Sequence, residues 1–222
     1  HDVDVEHAWG MTEMSPLGTY NKMSQKDFEL PEEAFTEALL RQGRPIFGVD
    51  LRIVDEEGKE LPWDGKSTGT VQVRGPFIAQ GYHKLDGNFN QDGWFETGDV
   101  ANLDLESRMQ ITDRTKDIIK SGGEWISSIE LENLAMNHPD VAEAAVVGVS
   151  HEKWTERPLL VVVKKAESKL AAEDILSFFG GKVATWWVPG ACEFVEKLPH
   201  TATGKLDKKV IREQFKNYLW TD

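Results

Sequence analysis

The chain has 222 residues, 40% of them apolar and 28% charged, and its 38 acidic against 25 basic side chains give a formal net charge of −13. That length suits one large domain or two ordinary ones, and the acidity opposes general attraction to nucleic acid or an anionic membrane, so a phosphate-bearing ligand must be met by local cations such as Arg114, Lys116, Lys120 and Lys205. No apolar run approaches the roughly 20 residues of a membrane span, the opening His1-Asp2-Val3-Asp4-Val5-Glu6 lacks the features of a signal peptide, and a single Cys192 without any zinc-spaced cluster fits a reducing, cytoplasmic setting.

Between Leu30 and Gly43, Pro31 at a first-turn position, Glu32 and Glu33 beside the positive end of the dipole, and a terminal glycine predict a short helix. From Val49 to Val100 the runs Leu51-Arg52-Ile53-Val54 and Thr70-Val71-Gln72-Val73 alternate with turns at Glu57-Gly58, Asp64-Gly65, Asp86-Gly87 and Asp92-Gly93, which predicts a small antiparallel β unit. Asp113-Arg114-Thr115-Lys116-Asp117 is too polar for a core and marks a domain boundary, leaving domains at 1–115 and 116–222. Beyond it, Ile118-Ile119-Lys120 and Glu124-Trp125-Ile126 flank Ser121-Gly122-Gly123 as a hairpin. Ile129, Leu131, Leu134 and Ala135 form a helical face. The apolar runs Val141–Val149 and Leu159–Val163 read as buried strands, a helix is expected over about Ala171–Phe179, and another strand at Cys192–Val195. The second part is then an α+β module of about 105 residues, an ordinary domain size.

Four segments carry chemistry. Trp9-Gly10-Met11-Thr12-Glu13 gathers an aromatic plane, a glycine that permits close backbone approach, a hydroxyl and a carboxylate, a set that can stack on a purine, touch a phosphate and hold Mg²⁺; alone it reads first as a turn after a strand. Asp99, closing Trp94-Phe95-Glu96-Thr97-Gly98-Asp99, offers a carboxylate to two sugar hydroxyls at once, or is a turn-forming aspartate. The stretch Asp113 to Glu124 is either a solvated linker or a nucleotide-facing segment. Leu198-Pro199-His200-Thr201-Ala202-Thr203-Gly204-Lys205-Leu206 presents one ammonium on a threonine/glycine loop, against the alternative of a plain surface lysine. It is no P-loop, since Pro199 and Leu206 stand where glycine and a hydroxyl residue are required, and Thr155 breaks a zinc-protease reading of His151-Glu152-Lys153-Trp154-Thr155.

Taken together and in this order, the segments resemble the AMP-forming acyl-CoA synthetases of the adenylate-forming superfamily. The resemblance implies an α+β fold in which residues 1–115 are the end of the large AMP-binding domain, with a small antiparallel β-barrel-like subdomain from about residue 45, and residues 116–222 a mobile C-terminal α+β domain. It implies ATP or AMP, Mg²⁺ and CoA as ligands. Trp9, standing where relatives usually have Tyr, would pack on adenine beside Gly10; Thr12 would contact phosphate and Glu13 the metal; Asp99 and Arg114 would hold the ribose. Lys116 would be the hinge, Lys120 would face the adenylate, Gly123 would let pantetheine pass, and Lys205 would activate the acid. Trp125 stands where relatives often carry a polar residue, and its role is left open. Ala8–Leu17 and His151–Pro158 look most like fatty-acyl and methylmercaptopropionate-type ligases, so the expected substrate is a fatty or other apolar carboxylic acid. Because no Ser/Thr/Gly-rich phosphate loop precedes Trp9, the resemblance also implies a C-terminal portion, inactive alone, whose partner is a missing N-terminal portion; a homodimer is left open. The competing readings are an adenylation domain that loads a carrier protein and a non-catalytic nucleotide-binding module.

Overall fold

The computed structural model describes residues 3, 5–84, 89 and 92–220. The chain divides into two compact units, His1–Thr115 and Lys116–Asp222. The expected Asp86-Gly87 turn lies outside the described residues.

The first unit holds two antiparallel sheets. β1 (His7–Gly10), β2 (Leu17–Asn21) and β3 (Arg44–Pro45) pair in that order, and β4 (Asp50–Val54), β5 (Gly69–Arg74), β6 (Phe95–Leu103) and β7 (Met109–Arg114) form a meander. The barrel-like expectation is corrected: among the described residues β4 and β7 are both edges, and the sheet is open. Closure would require the two outer strands to pair, and among the described residues they do not. The meander instead buries one face, with Leu51, Ile53, Val71, Val73, Phe95, Leu103 and Met109 packing with Trp9 and Met14. The early helix, α1, spans Glu32–Leu40, and Pro31 sits at its N-cap. Gly43 does not terminate it. Its φ of +87° and the approach of the Asn21 amide, 2.2 Å from where a Cβ would stand, show that the glycine serves strand packing. Below α1, Asp27 and Arg108 form a buried ion pair. Burial opposes ionisation of Asp27, but hydrogen bonds from the Ser24 amide and from Arg108 outweigh it and bring the carboxyl down to about 2.

In the second unit, β8 (Ile119–Ser121) and β9 (Glu124–Ile126) form the foreseen hairpin, and α2 covers Ser128–Met136. The Ser127 hydroxyl caps α2 by accepting from the Glu130 amide at 3.1 Å. β10 (Val141–His151) and β11 (Thr155–Lys164) are antiparallel, with Val146 opposite Leu160. After α3 (Ala172–Phe178), β12 (Ala191–Phe194) returns parallel to β11, and the sheet order is β10-β11-β8-β9 with β12 on β11. The uninterrupted apolar runs now have a cause: alternate residues feed different cores. Val146, Leu160 and Val162 pack with Leu131, Ile175 and Phe179, while Ala145, Val147, Leu159 and Val161 pack with Leu198 and Ile211. Ile211 lies on α4 (Lys208–Gln214), a helix the sequence reading did not anticipate. Cys192 is buried in the first of these cores, and burial pushes its thiol up to about 12. Among the described residues, no helix is long and apolar enough to cross a membrane.

Candidate functional site

In the first unit the site is built around Asp99. Gly98, at a φ of +75°, turns β6 so that its carbonyl accepts from the Thr115 amide at 2.9 Å, and the Thr97 hydroxyl receives the Asp99 amide at 3.1 Å. This directs the Asp99 side chain inward, where the residue is 2% exposed. Both carboxylate oxygens are occupied: the Trp9 indole Nε1–H donates to Oδ2 at 2.9 Å and the Arg114 Nε–H to Oδ1 at 2.8 Å. Three strands, β1, β6 and β7, converge here, and Asp99 and Arg114 are direct cross-strand partners. An ionised carboxylate has about four acceptor positions, so two remain for further donors.

Trp9 departs from the expected open stacking plane, since only 8% of it is exposed. Its six-membered ring packs so closely on Gly18 that a Cβ there would lie 2.6 Å from Cζ3, and Met14 closes on the same spot. Gly10 likewise permits an approach within the unit rather than toward a ligand: an added Cβ would stand 2.0 Å from the Pro16 carbonyl oxygen. Thr12 begins a single 3₁₀ turn and is exposed. Glu13 follows and is held twice by one segment, its carbonyl accepting from the Ala79 amide at 2.7 Å and its carboxylate from the Tyr82 hydroxyl at 2.7 Å. Glu13 in turn pushes the Tyr82 phenol above its usual range. The sequence reading missed Tyr82, because nothing local to Gly81-Tyr82 announces a partner 69 residues away. Among the described residues no cluster of three His, Cys, Asp or Glu side chains could hold a metal. A cation beside Glu13 would therefore take most of its ligands from phosphates and water, the usual manner of Mg²⁺, and a lone carboxylate fits that role.

The second unit carries the remaining candidates. Lys116 is its exposed first residue. The neighbouring Asp117 accepts from Arg212 of α4 at 2.7 Å. Gly122 and Gly123 form the two-residue hairpin turn with φ of +60° and +90°, the left-handed pair such a turn demands. They are not equivalent: a Cβ on Gly122 would meet the Trp154 ring at 2.9 Å, whereas one on Gly123 would meet nothing within 4 Å. The Lys120 ammonium lies 5.6 Å from the Trp125 ring centroid, which gives Trp125 a cation–π partner. Beside the turn, Trp154 and Trp186 help line a cleft of about 370 Å³ with Ser121, Gly122 and Arg157. Lys205 is exposed at the end of a tight turn, in which the Thr201 amide donates to the Lys205 carbonyl at 2.8 Å and the Lys205 amide to the Thr201 hydroxyl at 3.2 Å. Among the described residues its ammonium meets no acid or acceptor, so this cation is presented to solvent on a shaped loop. Directly behind it, α4 is pinned by Lys208, whose ammonium reaches Glu132 at 2.8 Å and the Ser128 hydroxyl at 2.7 Å.

Comparison with known proteins matches residues 1–83 to the AMP-binding enzyme family and residues 130–205 to the AMP-binding enzyme C-terminal domain. The chain is 54% identical over 220 residues to a 3-methylmercaptopropionyl-CoA ligase of Ruegeria pomeroyi, 47% to a medium-chain-fatty-acid–CoA ligase of Ectopseudomonas oleovorans and 45% to a long-chain-fatty-acid–CoA ligase of Thermus thermophilus. These alignments cover 97–99% of this chain but only 40–41% of the relatives. Among solved structures, ATP-bound MatB from Rhodopseudomonas palustris superposes with a TM-score of 0.80 at 30% identity, covering 96% of this chain and 41% of that one. The o-succinylbenzoate CoA synthetase of Bacillus subtilis, in complex with its acyl-adenylate, gives 0.77 at 28% identity, covering 98% and 42%. With both family regions found in order and these relatives aligned over nearly the whole chain, the chain belongs to the AMP-binding, adenylate-forming enzymes.

Proposed function

We propose that this chain serves an ATP-dependent, AMP-forming acyl-CoA ligase, supplying the sugar-holding carboxylate and the acid-activating lysine. The observation that carries the reading is the exposed Lys205 on its threonine-gated turn, in a chain that also holds a buried, doubly bonded Asp99. A carboxylate is a poor acyl donor because its leaving group would be oxide. In the first step its oxygen attacks the α-phosphorus of ATP, the bond to the β-phosphate breaks, and pyrophosphate departs. Lys205 offsets the negative charge that gathers on the attacking carboxylate and the α-phosphate, and Asp99 and Arg114 hold the ribose. Thr12 contacts the phosphates, and Glu13, steadied by Tyr82, would hold Mg²⁺, which when bound neutralises phosphate charge. In the second step a thiol attacks the acyl carbon and AMP leaves. Gly123 suits the passage of the thiol arm because its surroundings are open, Lys120 faces the adenylate, and the two-indole cleft beside it suits a flat ring such as the adenine of CoA. Lys116 is assigned as the pivot between steps, supported by its exposure at the first position of the second unit. The proposed acid is fatty or otherwise apolar, in keeping with the three relatives named above, and the buried single thiol suits the cytoplasm. The natural partner is the remainder of a ligase of the relatives' length.

The test uses the natural-length polypeptide that contains this chain. Lys205→Ala is expected to lower ATP–pyrophosphate exchange by about 10²-fold or more while leaving conversion of preformed acyl-adenylate to thioester far less affected. Undiminished exchange in the variant refutes the assignment.

A further inference from the structure

We propose that Trp9 acts through Asp99, its indole N–H setting the orientation of the carboxylate that receives the nucleotide sugar, so that Trp9 is a positioning residue for sugar selection. The inference rests on the ribose-holding reading of Asp99 given above and adds to it the group that makes that carboxylate selective.

The two donors on Asp99 are unequal. Arg114 has a side chain 51% exposed, so its hold on Oδ1 is screened and open to competition from water. The Trp9 bond to Oδ2 is buried on both sides, where a hydrogen bond is electrostatically strongest and its loss most costly. An indole N–H can only donate. It therefore always presents Oδ2 as an acceptor, whereas a hydroxyl in the same place could rotate and compete for the carboxylate. The indole itself cannot turn, because Gly18 and Met14 close on its ring and β1 is paired to β2 through Trp9 and Thr19. A rigid ring thus holds the carboxylate plane and fixes the direction of the two acceptor positions that Asp99 retains, as two vicinal sugar hydroxyls require. Trp9 and Asp99 are 90 residues apart, so nothing local produces this pairing.

The experiment measures binding of ATP and of 2′,3′-dideoxy-ATP to the natural-length polypeptide that contains this chain by calorimetry or ligand-observed NMR, for the wild type, Trp9→Phe and Asp99→Asn. Two hydrogen bonds to a charged acceptor are expected to give the wild type a preference for ATP of about tenfold or more. Trp9→Phe keeps an aromatic ring but removes the donor together with part of the packed bicycle, and dideoxy-ATP affinity reads the packing loss alone; the variant is expected to bring the preference below about threefold with little change in dideoxy-ATP affinity. A purely packing role would weaken both ligands alike and leave the ratio intact, and that result overturns the proposal. If Asp99→Asn loses the preference while Trp9→Phe retains it, only the positioning role fails. If the wild type shows no preference, the ribose reading fails and the proposal with it. Should Trp9→Phe not fold, the indole N–H resonance of Trp9 in ¹⁵N-tryptophan-labelled wild type decides: it is expected to move on addition of ATP more than of dideoxy-ATP, and equal movement overturns the inference.

Discussion

Replacing Lys208 by methionine removes one half of an enclosed ion pair in the second unit. Lys208 and Glu132 have side chains 10% and 12% exposed, and the Glu132 oxygen that meets the ammonium at 2.8 Å also accepts the Val146 amide at 2.8 Å. Methionine matches the lysine stem in length and so isolates the charge. Breaking a buried pair by removing one partner costs about 3–5 kcal/mol because the other charge is left uncompensated. The Val146 amide keeps one charge-assisted bond to Glu132, so the lower end, about 3 kcal/mol, is expected. For a unit of this size, that lowers its melting temperature by more than about 10 °C. Differential scanning calorimetry of the chain reads it as a downward shift of the transition belonging to the second unit. The double variant Glu132→Gln/Lys208→Met, which removes both charges and keeps an acceptor for the Val146 amide, should recover most of the loss. A Lys208→Met stability within about 1 kcal/mol of wild type, or a double variant as unstable as the single one, would refute the reasoning. The functional stake is local: α4 begins three positions after Lys205, and the Asp207 amide donates to the Pro199 carbonyl at 2.9 Å, closing the base of the lysine loop.

Two further predictions concern the first unit. Asp27 has a folded pKa of about 2 against an ordinary 3.8, so its contribution is fully present above about pH 4 and is lost as pH falls toward 2. Between pH 6 and pH 2.5 that contribution amounts to about 1–2 kcal/mol. Urea unfolding at pH 6 and pH 2.5 should show an acid loss that Asp27→Asn reduces by that amount, and an unchanged pH dependence in the variant counts against it. Gly10→Ala forces a methyl to within 2.0 Å of the Pro16 carbonyl oxygen. With backbone on both sides no rotamer relieves the clash, so a loss of about 3 kcal/mol or more is expected by urea titration; a loss below about 1 kcal/mol would show that the β1–β2 connection gives way.

What could be read from the sequence was whatever local chemistry encodes. The Gly122-Gly123 turn, the apolar strands β10 and β11, and the helix after Pro31 follow from left-handed glycines, run length and capping residues. The edges were less legible. Gly43 resembled a helix terminator, yet it is needed by a strand 22 residues earlier in the chain, and only the fold reveals that the Asn21 amide stands against it. α4 escaped notice because Lys208-Lys209-Val210-Ile211-Arg212-Glu213-Gln214 offers two adjacent apolar residues and so no helical stripe; Ile211 alone is buried. At the candidate site, the residue types of Trp9, Glu13 and Asp99 were evident, but what each does depends on partners 69 to 90 residues distant. The indole expected to pack on adenine is also a hydrogen-bond donor set in the core.

The lone sulfhydryl at Cys192 has a practical corollary. Shut inside one unit and held in its protonated form up to about pH 12, it reacts with an alkylating reagent only when that unit opens. Since the first unit contains no cysteine at all, labelling kinetics report breathing of the lysine-bearing half without interference from the rest of the chain.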